Sequence, residues 1–403
     1  MNTTYINPRN LRSSVLLIVL FSLFSCGKHT TTCTPTLLKE TQLKTSDELV
    51  SGPIFESLKR LDKDHLLLIS SNVSKYSSKL YKINTNDYSV IEYPEAINVS
   101  LAGAVVSIDD EMLVFSNRSS ELEIVDINTW KKIGVVPSQQ FFSTHQRIGN
   151  YAIVRGRSTA GHIPVLVINL EQQTVEEAFT ISQTLQENWR DSMPYTTYMS
   201  AAGKPQVIFL DENHSGKLSL VTYDIRSKSV LSEVTLDEYG GLTRRSKPQS
   251  VHVNNDNAYI ASRDYMSCRR LSDGKLLWEK AFDKPDGRYA TTVTDDVIIS
   301  VTEEHLTCLD AECGKELWQK ALNPLGVFWY SIQNNLIVGQ DHLMFNHFPI
   351  RIDDGHSYWN TLPDFSQDLF TLHRHRPVLD QEKGLIYICK DNVLHEFDLP
   401  EHP

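Results

Sequence analysis

The most regular pattern in the chain is an apolar strand that ends in a short polar turn and is followed by a second strand with a tryptophan. Residues 268–278 (CRRLSDGKLLW) and 308–318 (CLDAECGKELW) both fit it, with Gly274 and Gly314 closing the turns. Trp278 and Trp318 lie 40 residues apart, close to the roughly 40–45 residues of a four-stranded propeller blade. Because one blade cannot bury its own apolar faces, this period predicts neighbouring sheets stacked in a ring.

Weaker copies of the same turn recur along the whole chain. Apolar strands meet polar turns near positions 84, 126, 169, 224, 270, 310, 351 and 398, at intervals of 40 to 55 residues. Short runs of β-branched and aromatic residues bounded by Asp, Asn and Gly are typical of strands. We therefore predict an all-β fold, an eight-bladed β-propeller of four-stranded antiparallel blades, with seven blades as the alternative.

The two ends of the chain are predicted to complete one blade together. Five residues follow the last turn at Asp398, too few for a fourth strand. Residues 36–43 (TLLKETQL) precede the first blade and supply the natural outer strand of the last one. Pairing the ends removes an exposed sheet edge. We therefore expect a single propeller domain over residues 36–403, closed by an N-terminal strand.

The first residues have the composition of a secretion signal. Arg9 and Arg12 precede the apolar run at 15–24, which is too short to span a membrane. Residues 23–26 (LFSC) resemble the lipobox of bacterial lipoproteins. This resemblance implies a signal peptide over 1–25, acylation of Cys26 with palmitate-type chains, and a lipid-anchored tether over 26–35. A plain cleaved signal is the alternative.

The residues around Cys26 also favour one membrane and one side of it. No aspartate directly follows the cysteine and no acidic run comes soon after it. By analogy with bacterial lipoproteins, this implies the outer membrane and its periplasmic side. The chain has 39 Lys and Arg against 50 Asp and Glu, a net charge of −11. A nucleic-acid surface needs clustered positive charge, so we expect no nucleic-acid partner.

Residues 310–318 (DAECGKELW) resemble the tryptophan-docking repeat of quinoprotein (PQQ-like) propellers. In that repeat the turn glycine and the tryptophan of one blade pack on the next, and Trp130 lies near the docking position in the second blade. The resemblance implies docking roles for Trp278, Trp318, Trp359, Gly274, Gly314 and Gly355. Lipid-anchored single propellers of this length are similar to the BamB-type lipoproteins of outer-membrane β-barrel assembly. That similarity implies a monomeric, non-catalytic scaffold that binds an envelope protein.

Redox and metal chemistry receive little support from the sequence. A quinone-dependent dehydrogenase usually has adjacent cysteines, and this sequence has none, so we predict no catalytic residue, cofactor or metal. The five cysteines after Cys26 are an odd number, which leaves at least one thiol unpaired; they are Cys33, Cys268, Cys308, Cys313 and Cys389. Equivalent cysteines on packed sheets stand about 10 Å apart, beyond the reach of a disulfide. Cys268 and Cys308 are therefore expected to be free, buried thiols, whereas Cys308 and Cys313 could meet across a tight turn.

One cluster could bind a ligand. The period of two in a strand puts His373 and His375 on one face and Arg374 and Arg376 on the other. We expect this segment to be the innermost strand of the eighth blade, with one pair facing the central channel. A solvated channel lining is the simpler interpretation. The alternative function is a saccharide-binding or polysaccharide-active, lyase-like propeller that uses this cluster.

Overall fold

The structure is a computed structural model, and the statements below concern the residues that it describes. These are residues 37–43, 54–72, 77–93, 105–108, 112–116, 122–126, 129–136, 141–156, 162–172, 174–182, 195–212, 218–236, 248, 250–262, 265–282, 290–302, 305–321, 336–345, 348–357, 375–390 and 393–399. The predicted signal peptide, Cys26 and the tether lie outside the described residues.

The described residues form 32 β-strands. The first sixteen are β1 (Leu37–Gln42), β2 (Ile54–Arg60), β3 (His65–Asn72), β4 (Ser77–Asn84), β5 (Val90–Glu92), β6 (Val105–Ile108), β7 (Met112–Ser116), β8 (Leu122–Asp126), β9 (Lys131–Val136), β10 (Phe141–Ile148), β11 (Tyr151–Gly156), β12 (His162–Asn169), β13 (Thr174–Ser182), β14 (Tyr195–Met199), β15 (Pro205–Glu212) and β16 (Leu218–Asp224).

The remaining sixteen strands continue in the same up-and-down order. They are β17 (Ser229–Thr235), β18 (Ser250–Asn254), β19 (Asn257–Ala261), β20 (Tyr265–Arg270), β21 (Leu276–Ala281), β22 (Ala290–Val293), β23 (Val297–Val301), β24 (His305–Asp310), β25 (Glu316–Ala321), β26 (Leu336–Val338), β27 (His342–Phe345), β28 (Phe348–Arg351), β29 (His375–Arg376), β30 (Val378–Asp380), β31 (Leu385–Lys390) and β32 (Val393–Asp398).

These strands pair into eight sheets, which we number in chain order. Sheet 1 is β2–β5 with β29 added beside β2. Sheets 2 to 6 are β6–β9, β10–β13, β14–β17, β18–β21 and β22–β25. Sheet 7 is β26–β28, and sheet 8 is β30–β32 with β1 as its fourth strand. The first strands of successive sheets contact one another, from β6 through β10, β14 and β18 to β22. In sheets 2 to 6 the first strand is therefore the innermost strand.

The strand count corrects the sequence-based prediction. Six of the sheets have four strands, whereas sheet 1 has five and sheet 7 has three among the described residues. The prediction of eight, or alternatively seven, four-stranded blades is therefore wrong, because six of the described sheets are four-stranded blades. Beyond β28, the structure describes an isolated β-bridge between Ile350 and Ser357 in sheet 7. Trp359 lies outside the described residues.

The fifth strand of sheet 1 is the segment that we expected to begin sheet 8. His375 and Arg376 pair in parallel with Glu56 and Ser57 of β2. The innermost strand of sheet 8 is β30, which begins after Pro377. Proline has no backbone N–H and interrupts a strand ladder. The segment on either side of Pro377 is therefore divided between two sheets.

The predicted closure by an N-terminal strand is confirmed. β1 pairs antiparallel with β32, from Leu37 opposite Phe397 to Gln42 opposite Val393. The same strand reaches sheet 1, because Lys39 Nζ lies 3.5 Å from the centre of the Tyr88 ring. The first and last parts of the chain thus share one sheet and one interface.

Apolar clusters fill the spaces between the sheets. One joins sheets 3, 4 and 5, and a second joins sheets 5 and 6. Two others join sheets 6, 7 and 8, and sheets 8 and 1. Contacts between β6 and β10 connect sheets 2 and 3, while Tyr93 packs on Trp130 between sheets 1 and 2. Each sheet is therefore buried against both of its neighbours, and the sheets form a ring.

Among the described residues, no helix has the length and apolar character that crossing a membrane requires.

Candidate interaction surface

Trp278, on the outermost strand of sheet 5, packs directly on the turn of sheet 6. A Cβ atom at Gly314 would lie 2.5 Å from Cε3 of the indole ring. Gly314 also has a φ of +70°, which L-residues with side chains rarely adopt. The indole Nε1 donates a hydrogen bond to the Ala311 carbonyl at 3.1 Å. Gly314 therefore leaves the space that the indole ring of Trp278 occupies, and the ring packs over the turn.

Trp318 repeats this arrangement between sheets 6 and 7. A Cβ atom at Gly355 would lie 2.6 Å from Cδ2 of its ring, and its Nε1 donates to the Ile352 carbonyl at 2.6 Å. Gly274 in sheet 5 meets an aliphatic residue instead, since its Cβ would lie 2.5 Å from Val234 Cγ1 of sheet 4. Docking is therefore a contact between the outermost strand of one sheet and the turn of the next.

Three other turns have a larger residue in the same left-handed position. Tyr88, Trp130 and Lys228 have φ values of 61°, 58° and 53°, and each follows a turn residue by four positions, as the glycines do. Trp130, expected near the docking tryptophan position, takes the position of the turn glycine instead. Its N–H donates to the Asp126 carbonyl at 2.8 Å, as that of Gly314 does to Asp310 at 2.9 Å.

These larger residues also contact the preceding sheet, with different chemistry at each junction. Tyr88 receives the ammonium group of Lys39 over its ring. Trp130 meets Tyr93 edge to face, with ring centres 5.6 Å apart. Lys228 forms an ion pair with Glu176 of sheet 3 at 2.5 Å. Sequence reasoning missed Tyr88 and Lys228 as docking residues, although their spacing from the turn anchors was a usable signal.

The acidic residues of these turns bind backbone groups. Asp310 Oδ1 accepts hydrogen bonds from the N–H groups of Glu312 and Cys313, both at 2.9 Å. Asp224 Oδ1 accepts one from Ser227 N–H at 2.7 Å. Hydrogen bonds from these backbone N–H groups hold the pKa of Asp310 and of Asp224 below the ordinary value. These ionised carboxylates therefore stabilise the turns by accepting hydrogen bonds from backbone N–H groups.

The turn of sheet 7 is held by a buried guanidinium. Arg351 Nε lies 2.6 Å from Asp353 Oδ1, and its Nη2 pairs with Asp354 Oδ2. The hydrogen bond from Arg351 lowers the pKa of Asp354 to about 2, against the opposing effect of burial. His356 N–H also donates to Asp354 at 2.9 Å. The two acids beside Gly355 are thus engaged in a local charge network.

The predicted histidine and arginine site is placed only in part. The backbone of His375 and Arg376 lies beside β2, at the inner edge of sheet 1 rather than in sheet 8. His373 and Arg374 lie outside the described residues. The structure does not bring this segment together with the docking residues, which sit at turns and outermost strands. Within the described ranges, no group of three or more His, Cys, Asp or Glu residues could hold a metal ion.

Cys268, Cys308 and Cys313 are free thiols. Cys268 and Cys308 are buried, as is Cys389, and Cys313 is exposed. Burial raises the pKa of the Cys268 thiol to about 11 and that of the Cys308 thiol to about 12. The expectation of free, buried thiols at Cys268 and Cys308 is confirmed, and both thiols pack as small apolar groups.

Exposed aliphatic side chains concentrate on outermost strands. On sheets 4, 5 and 6, which are consecutive in the ring, we call this set the rim patch; it consists of Val230, Leu231, Leu276, Leu277 and Leu317, each 39% to 53% exposed. Sequence reasoning missed this patch. The signal was a pair of adjacent apolar residues directly after a turn, where a strand with one buried face would bury only one of them.

Solved structures that share this fold include the following two. BamB from Moraxella catarrhalis covers 91% of this chain and 100% of its own length, with a TM-score of 0.55 and 13% identity. The C-terminal WD40 domain of Sif2 covers 92% of this chain and 100% of its own, with a TM-score of 0.55 and 10% identity. The chain is a β-propeller. At these identities the likeness shows the fold alone, and no family model or curated protein sequence matches the chain.

The docking geometry predicts a large effect of one added methyl group. We expect Gly314→Ala to lower the free energy of unfolding by about 2–5 kcal/mol. The left-handed backbone costs alanine about 1–2 kcal/mol, and overlap with the Trp278 ring adds about 1–3 kcal/mol. Urea unfolding of the purified propeller measures the change.

Gly203→Ala is the matched control for this prediction. Gly203 has nearly the same φ, +69°, but a Cβ atom there meets nothing within 4 Å. We expect it to cost only the backbone part, about 1–2 kcal/mol. Equal losses from the two variants would contradict the docking account.

The charge network of sheet 7 predicts an acid-dependent stability. The pKa of Asp354 is lowered on folding, so its stabilising effect is present above about pH 4 and is lost as the pH falls towards 2. Asp354→Asn should remove this part of the pH dependence, as measured by urea midpoints between pH 2 and 6. Asp353→Asn should change it less, because the Asp353 side chain is 65% exposed against 44% for Asp354. An unchanged profile for Asp354→Asn would disprove the assignment.

Proposed function

We propose that this propeller is a lipid-anchored, non-catalytic scaffold of the bacterial cell envelope, which binds another envelope protein through its rim patch. The observation that carries the proposal is the exposure of aliphatic side chains on three consecutive outermost strands. Exposed apolar surface that spans neighbouring elements marks interaction sites more often than single exposed residues do. A scaffold requires such a surface and no reactive group.

The edges of these strands favour an extended partner. β17, β21 and β25 are each the last strand of their sheet, so one side of each offers backbone N–H and C=O groups. Natural edge strands are commonly protected by charges or proline, whereas here exposed leucine or valine lies within the first three residues of each strand. An extended segment of another protein would add a strand to such an edge and place alternate side chains on the rim patch. We therefore propose that the ligand is an extended segment of an envelope protein.

The non-catalytic part of the proposal rests on the turns. The carboxylates of Asp224 and Asp310 cap backbone groups, and Asp354 neutralises a buried arginine. Acids engaged in this way are poor general acids or bases, because their pKa values are lowered and their lone pairs are occupied. A quinoprotein-type repeat would then serve docking between sheets, as Trp278 and Trp318 do, and not cofactor binding.

The proposed location of the scaffold rests on the first residues of the chain. The lipobox-like residues 23–26 support acylation of Cys26, and more than one acyl chain is needed for stable anchoring. The resemblance of the sequence to lipid-anchored propellers of the BamB type supports an envelope role without deciding the partner. We place the propeller on the periplasmic side of the outer membrane, as a monomer on its tether.

Photo-crosslinking in intact bacteria tests this function. A photoreactive residue is introduced at Leu277 or Leu317 of the full-length chain, and at Ile133 as the control. Ile133 is 48% exposed on the outermost strand of sheet 2, away from the rim patch. We expect one discrete crosslinked protein from Leu277 and Leu317 in the outer-membrane fraction, a yield about tenfold lower with Leu276→Lys, and loss of the membrane location with Cys26→Ala.

Equal crosslinking from Ile133, or none from the rim patch, would count against the scaffold.

The saccharide-binding alternative is favoured by one observation, the position of His375 and Arg376 at the inner edge of sheet 1. It predicts polyuronate binding by the purified propeller that His375→Ala and Arg376→Ala abolish. Polyuronate binding of this kind, without rim crosslinks, would reverse the order of the two functions.

A further inference from the structure

The interface between sheets 5 and 6 contains three polar atoms within an otherwise apolar cluster. Its apolar part includes Met266 and Cys268 of sheet 5 and Ile298 of sheet 6. The three polar atoms are His252 Nε2, Thr291 Oγ1 and Ser300 Oγ, which are buried and have no hydrogen-bond partner in the structure. Because an unpaired buried polar atom costs free energy, three at one interface require an explanation.

His252 faces sheet 6. It lies on β18, where Val251 packs in the cluster shared with sheet 4. Side chains alternate along a strand, so His252 and Asn254 point the other way. Asn254 confirms this direction, because its Nδ2 donates to the Thr294 carbonyl of sheet 6 at 2.9 Å.

Thr291 and Ser300 face sheet 5. They are directly opposite each other on β22 and β23, and the next pair on the same side of the sheet is Val293 with Ile298. Both members of that second pair pack in the cluster shared with sheet 5. The two hydroxyl groups therefore lie on the surface of sheet 6 that meets His252.

The three polar groups also lie at nearly one level of the interface. β18 and β22 are neighbouring innermost strands, and both run in the same direction around the ring. Asn254, the last residue of β18, meets Thr294, which directly follows β22. His252 lies two residues before Asn254 and Thr291 lies three residues before Thr294, so their levels differ by one strand step of about 3.3 Å.

The chemistry of the three atoms fits a neutral ligand that both donates and accepts hydrogen bonds. Burial lowers the pKa of His252 to about 4, so its imidazole is neutral at physiological pH. The titratable groups that face it, Tyr259 and Cys268, have pKa values raised to about 12 and about 11. With neutral groups on both sides, the site suits neither an anion nor a cation. An internal water makes two to four hydrogen bonds and satisfies such atoms.

We propose that His252 Nε2, Thr291 Oγ1 and Ser300 Oγ bind an internal water molecule that joins sheets 5 and 6. The water accepts from a hydroxyl and donates to the neutral imidazole. The water thereby joins the two sheets at this level, as the side-chain hydrogen bond of Asn254 does two residues along β18.

Thermal unfolding of two matched serine variants tests the water site. Ser70 in sheet 1 is the control, since its Oγ is also buried and unpartnered in the structure. Ser300→Ala should lower the unfolding midpoint by about 2 °C or more, because it removes one ligand of the water. Ser70→Ala should leave the midpoint unchanged or raise it, because it removes only an unpaired hydroxyl.

A crystal structure of the wild-type propeller at high resolution supplies the second measurement. We expect an ordered water within hydrogen-bond distance of all three atoms, and its loss or displacement in Ser300→Ala. The proposal is overturned if no water density lies between the three atoms. It is equally overturned if Ser300→Ala is as stable as Ser70→Ala.

Discussion

Every sheet of this protein has two apolar faces and can bury them only against neighbouring sheets. β16 shows the constraint most directly, because all seven of its residues, Leu218–Asp224, are buried. Burial of apolar surface is the main favourable term in folding. A ring gives each sheet two neighbours, whereas an open stack would leave two faces in water. The last sheet must therefore meet the first, and the pairing of β1 with β32 holds them there.

The docking of one sheet on the next uses one backbone geometry and several kinds of side-chain contact. A residue in the left-handed conformation closes each described turn of this type, and the outermost strand of the preceding sheet contacts it. Glycine is required where an indole lies over the turn, as at Gly314 under Trp278. Where the contact is a cation over a ring or an ion pair, tyrosine or lysine holds the position despite its strained backbone. The geometry is conserved around the ring while the chemistry changes.

The ring and its closure could be predicted from sequence, because the 40-residue interval and the short C-terminal end are local signals. The docking pairs of sheets 5 and 6 were visible for the same reason, since glycine and tryptophan have distinctive sterics. Tyr88 and Lys228 were missed because tyrosine and lysine lack such distinctive sterics, although each follows its turn anchor by four positions. The strand at His375 was misplaced since a period of two gives the faces of a strand but not its partner. The rim patch was missed because exposure depends on which strand is outermost.

Ring closure by β1 is the claim most directly open to measurement. The propeller is prepared starting at residue 36 and, without β1 but with the buried Leu43 retained, starting at residue 43, and the urea unfolding of the two is compared. Five registered pairs between β1 and β32, at about 0.2–1 kcal/mol each, predict a loss of about 1–5 kcal/mol without β1. The shorter chain should also lose hydrogen-exchange protection first in β32 and at the Tyr88 turn. Equal stability of the two chains would contradict the account.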